Sequence, residues 1–142
     1  MAPPDPPLDA NERMWRFLDI EQNEAKLKDG AWKACTTAFY SKTCLGKPDQ
    51  GISVFLPQSS DCRRLRSGFA DKGIAEVTVS QVLAEGFSIV EIPSEEYPRD
   101  RHCILRPNDE WSRSQYSKRA SRLADAANVI EMPATLWDPD AD

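Results

Sequence analysis

The sequence predicts an α+β domain: a small mixed β-sheet with two or three helices packed on one face. Three observations carry that reading. Short runs of β-branched and aromatic residues are bounded by Gly or Pro, as strands are. Two boxes of the form Ser/Thr-x-x-Gln, Thr78 with Gln81 and Ser112 with Gln115, announce helix starts. Behind the second box Tyr116, Ala120, Leu123, Ala124 and Ala127 recur at helical spacing, giving a continuous apolar stripe.

Taken in order, Ala2 to Asn11 is Pro-rich and acidic and reads as an extended leader, with ordered structure starting near Arg13. In Trp15–Ile20, Trp15 and Phe17 alternate as in a strand, although Met14, Phe17 and Leu18 also fit one helix face; the strand is the preferred reading. Asp29–Gly30 is a turn dipeptide, and an apolar cluster around Trp32, Ala38 and Phe39 follows. Ile52–Leu56 is the clearest strand, opened by Gly51 and closed by Pro57. Cys62, Leu65 and Phe69 fall on one helix face after a cap at Ser60 or Asp61, with Gly73 as a left-handed stop. Ile74–Val77 reads as a strand. Thr78 then caps a two-turn helix with Val77 and Val82 as its hydrophobic staple, and Gly86 ends it. Phe87–Ile92 returns as a strand, and so tight a connection favours an irregular α+β link over a full parallel crossover. His102–Arg106 is a short strand whose His102 and Ile104 face one side, Cys103 and Leu105 the other. Trp111 and Tyr116 occupy the staple positions of the last helix, Asn128 is its expected stop, and Val129–Met132 adds an edge strand before Pro133.

These boundaries divide the chain into a flexible leader (1–12), a single α+β domain (13–133) and an acidic tail (134–142). With 40% hydrophobic and 29% charged residues, the composition is that of a folded chain rather than a disordered one. No apolar run reaches the roughly 20 residues of a membrane span. The N-terminus lacks the basic start and apolar centre of a secretory signal, so a cytoplasmic protein without membrane contact is expected.

The chemistry is constrained by what the composition supplies. Six glycines are scattered without a phosphate-cradling motif, and neither a Gly-x-Ser-x-Gly elbow nor a zincin helix occurs, so no cofactor is expected. One histidine cannot build a two-histidine metal site within the chain. Cys35, Cys44, Cys62 and Cys103 show no paired ligand spacing and read as small buried apolar residues, a metal site from Cys35, Cys44, Cys62 and His102 being the remote alternative. A cysteine nucleophile activated by His102 is the surviving catalytic option. The neighbouring Cys103 points to the opposite strand face, and the balance is against an enzyme.

Net charge is −5, but it is unevenly spread. Residues 99–122 carry seven Lys or Arg against three acids, whereas residues 123–142 carry five acids and no base. The basic stretch makes a nucleic-acid contact the second hypothesis, with Arg106, Arg113, Lys118, Arg119 and Arg122 tracking phosphates; a solvated helix face explains Lys118 and Arg122 as well. The four tryptophans are Trp15, Trp32, Trp111 and Trp137. Trp15 and Trp137, near the two ends, are the expected exposed anchors for another protein, with His102 as a third candidate contact.

The progression Trp32…Phe39, Gly51–Phe55, Gly73–Val79, Glu85–Pro93, Pro98 and His102–Ile104 resembles that of a loose group of small uncharacterised bacterial proteins, over roughly residues 30–133. The chain departs from the group at Cys103, where Ala is usual, and in its Pro-rich leader. The resemblance implies an accessory role, of defence or toxin–antitoxin type, and no transferable activity. The expected function is a non-enzymatic interaction module, an accessory or regulatory subunit of a multi-protein system.

Overall fold

The computed structural model describes residues 9–47, 49–57, 71–92 and 101–132. The strands are β1 (Arg13–Leu18), β2 (Ala25–Lys28), β3 (Ala31–Ala34), β4 (Ile52–Phe55), β5 (Gly73–Thr78), β6 (Ser88–Glu91), β7 (His102–Arg106) and β8 (Asn128–Glu131). The α-helices among the described residues are α1 (Val79–Ala84) and α2 (Arg113–Ala126). Six strands form one sheet in the order β6-β7-β4-β1-β5-β8, and β2 and β3 form a separate hairpin. The α+β class is as the sequence predicts. The strand directions differ from the mixed sheet expected, because every adjacent pair among the described strands is antiparallel.

Alternation of side chains sorts each strand onto two faces. Met14, Leu18, Val54, Val77, Cys103 and Leu105 turn one way and meet Tyr116, Ala120 and Leu123 of α2 in the main core. Both described helices pack on that face, as expected. On the other face Phe17, Phe55 and Ile74 form a smaller cluster with Trp15 against it. The strand reading of the Trp15 segment and the split of His102 from Cys103 both hold, since Phe55 pairs with His102 and Val54 with Cys103.

Local chemistry accounts for the ends of these elements. Both capping boxes form with reciprocal side-chain and backbone bonds, at Thr78 with Gln81 and at Ser112 with Gln115. Gly86 adopts φ +86° after α1, and a Cβ there would lie 2.9 Å from the Trp111 ring. Two stops are placed differently from the sequence reading. Gly73 is the first residue of β5, opposite Leu18, and has no left-handed backbone. Asn128 is already paired with Glu76 in β8, so α2 ends on the extended Ala127. The predicted helix over Cys62–Phe69 lies outside the described residues. β5 and β6 are not neighbours: three strands separate them, and α1 starts the passage across the sheet. The end of the leader also takes part in the fold, since Ala10 and Glu12 carbonyls accept the first free N–H groups of α1, from Ser80 and Val79.

Two arginines tie loops to this frame. Arg16 projects from β1 into the main-core side, where its Nε donates to the Ala38 carbonyl at 2.7 Å and Nη2 meets Glu24 at 3.2 Å. Glu24 in turn accepts the Asp19 N–H at 2.9 Å, and its own carbonyl accepts Cys35 N–H. The hairpin is thereby anchored at both its entry and its exit. Burial lowers the Arg16 pKa, and the neighbouring Glu24 carboxylate works in the opposite direction. Arg106, 6% exposed, donates to the carbonyls of Cys44 and Gln50 and to Asp109 at 2.7 Å.

Removing a buried hydrogen-bonded cation leaves its acceptors stranded, which costs about 3 kcal/mol. Arg106→Met is therefore expected to lower unfolding free energy by about that amount in urea denaturation. A loss below about 1 kcal/mol, the range of an exposed pair, would contradict this role.

Candidate functional site

The hairpin and the β8 end of the sheet bring together the surfaces best suited to recognition. Asp29 and Gly30 both have positive φ, +53° and +79°, the backbone of a two-residue type I′ turn. That turn sets the register Lys28↔Ala31, Leu27↔Trp32, Lys26↔Lys33 and Ala25↔Ala34. Alternation then gives the hairpin an apolar side, with Ala25, Leu27, Trp32 and Ala34, and a side with three lysines. Ala25 and Ala34 are buried, whereas Leu27 is 51% exposed.

Between β3 and β8 lies a groove of about 390 Å³ lined by Ala31, Trp32, Val129, Ile130 and Met132, with Glu131 as the charged residue of its wall among the described residues. Ile130 is 46% exposed beside it. β8 stands at the end of the sheet, with β5 its ladder partner among the described strands. Trp32 is thus half-buried at a groove, next to a strand that ends the sheet.

The residues singled out from sequence occupy several different places. Trp15 is half-buried, and its indole N–H donates to Glu76 at 3.1 Å, so it is not the freely exposed anchor expected. Trp137 lies outside the described residues. Arg106 also departs from the expected phosphate-tracking strip, because its guanidinium is buried in the bonds to Cys44, Gln50 and Asp109. Arg113 and Lys118 are exposed on α2. Arg119 sits over the Trp111 ring at 5.9 Å and approaches Glu85 at 3.7 Å, and Arg122 approaches the same carboxylate at 4.0 Å. Trp111 and Tyr116 form the predicted staple, their rings 6.4 Å apart, with Phe87 edge-on to both.

His102 stacks on Phe55 with ring centroids 4.9 Å apart, on the sheet face away from the main core. Cys44 and Cys103 are both in the main core, so neither shares a face with it. Burial, with Glu91 and Glu12 nearby, pushes the Cys103 thiol up to about 11, leaving it protonated at neutral pH. Cys62 lies outside the described residues. Among the described residues no three His, Cys, Asp or Glu side chains gather as metal ligands. No family model matches the chain, and no curated protein or solved structure matches it. No helix among the described residues is long and apolar enough to cross a membrane.

Sequence reasoning missed the groove and the half-buried Arg16–Glu24 pair. The signal for the hairpin was present in Lys-Leu-Lys-Asp-Gly-Ala-Trp-Lys, where alternation on either side of Asp-Gly dictates both faces.

Burial lowers the His102 pKa below its ordinary 6.5. The unfolded chain then binds the proton more readily, so this group's contribution to stability is full above 6.5 and is lost as pH falls through the folded-state value. The wild type should lose stability between neutral and mildly acidic pH, and His102→Phe should flatten that slope in melts across the range. An unchanged slope in the variant would show that the ring does not contribute it.

Proposed function

We propose that the chain is a non-enzymatic protein-interaction module that receives an extended segment of a partner along the β8 edge. The observation carrying this reading is the apolar groove between β3 and β8, with Trp32 in its wall and Ile130 and Leu27 exposed at its margin. A strand at the end of a sheet offers main-chain hydrogen bonds for strand addition, while a neighbouring groove selects alternate side chains. Aromatic residues half-sunk in such grooves are frequent energetic anchors.

Glu131 of β8, which lines the groove, sets the partner's charge. The matching segment is therefore extended, with alternating apolar residues and flanking Lys or Arg. An accessory-subunit role agrees with this mode of binding and with the resemblance noted for residues 30–133.

Ile130→Asp places a charge at an exposed position and should leave the fold intact. Against a partner recovered with the wild-type chain, it should weaken binding by about 2 kcal/mol, roughly thirtyfold, in calorimetric titration. Trp32→Ala should act in the same direction, and added salt should weaken the wild-type complex. Undiminished binding by Ile130→Asp, with loss on replacing Arg113 and Lys118 instead, would move the interface to α2.

A further inference from the structure

The other side of the hairpin carries an independent feature. Lys26 stands directly opposite Lys33 in the ladder, and Lys28 follows two residues along on the same side. Like charges opposed across a strand pair destabilise it. None of the three lysines pairs with a carboxylate among the described residues, although the chain as a whole is acidic at −5. A cavity of about 320 Å³ opens against this side, walled by the segment after β3 and by α2. Thr36 and Ser121 line it with hydroxyl-bearing side chains, and Asp125 is its one acid among the described residues.

We infer that this lysine-walled cavity is an anion site for a small polyphosphate group, such as the diphosphate end of a phosphorylated metabolite. Three ammonium groups distributed along two strands meet a multiply charged, elongated anion better than a point charge. Ligand oxygens would draw the Lys26–Lys33 pair into a shared interaction, and the repulsion built into the ladder would be relieved on binding. The volume is at the lower end of the roughly 300–1,000 Å³ usual for small-molecule sites. Among the described residues no aromatic ring lines the cavity, so they offer no stacking platform of the kind by which single-stranded nucleic acids are held. This site does not depend on the β8 groove or its partner.

The test is calorimetric titration of the full chain with inorganic pyrophosphate at low ionic strength, beside thermal melts. Saturable one-to-one binding that weakens with salt is expected. Lys26→Gln with Lys33→Gln should reduce affinity at least about tenfold while raising the melting temperature of the unliganded protein, since repulsion is removed. Arg113→Ala with Lys118→Ala should leave pyrophosphate binding unchanged. Absence of saturable binding, or binding that survives the double lysine variant, would overturn the inference. Tighter binding of a single-stranded oligonucleotide through the same lysines would overturn it in favour of a nucleic-acid surface.

Discussion

The placement of the hairpin turns on the Arg16 guanidinium. It sits on β1, one of the two middle strands of the sheet, and reaches through the main-core side to Glu24 before the hairpin and to the Ala38 carbonyl after it. A desolvated guanidinium is costly unless its donors are used, and here charge and hydrogen bonding are satisfied together. The geometry is also specific, because Glu24 spends its second oxygen on the Asp19 N–H. Arg106 plays a comparable part at the other side of the sheet, where it holds the segment between Cys44 and Gln50.

The consequence is a division of labour between sheet and hairpin. The sheet and α2 bury the large apolar side chains and the thiols of Cys44 and Cys103. The hairpin is amphipathic in a different sense, with Leu27 and Trp32 on one side and three lysines on the other. One side borders the β8 edge and its apolar groove; the other borders a polar cavity against α2. A pair of short strands can thus present two chemically unlike surfaces, provided something outside the pair holds it in place. An isolated hairpin of this length is only marginally stable in water, so it needs contacts beyond its turn, and the half-buried Arg16–Glu24 pair supplies one.

The sequence was most informative where one local rule decides the structure. Thr78–Gln81 and Ser112–Gln115 form their boxes because side-chain reach along a helix start depends only on spacing. The α2 stripe and the alternation at His102–Leu105 follow from periodicity in the same way. Glycine was less reliable: Gly73 has the composition of a helix stop, yet pairing with Leu18 draws it into β5. Arg106 was read as a surface charge because nothing local reveals that the carbonyls of Cys44 and Gln50, far away in sequence, converge on it. The sheet order was hidden for the same reason, since β6 and β8 reach opposite ends only through long-range pairing. Both recognition surfaces are likewise products of tertiary placement: the alternation around Asp29–Gly30 shows the two faces but not what stands beside them.

Native-state amide hydrogen exchange on the Arg16→Met variant tests the central role of this guanidinium most directly. If Arg16 anchors the hairpin, ladder amides between Lys26 and Lys33 lose protection by at least about tenfold more than those of the β4–β7 ladder. Hairpin protection that falls in step with β4–β7, or does not fall at all, would contradict that role.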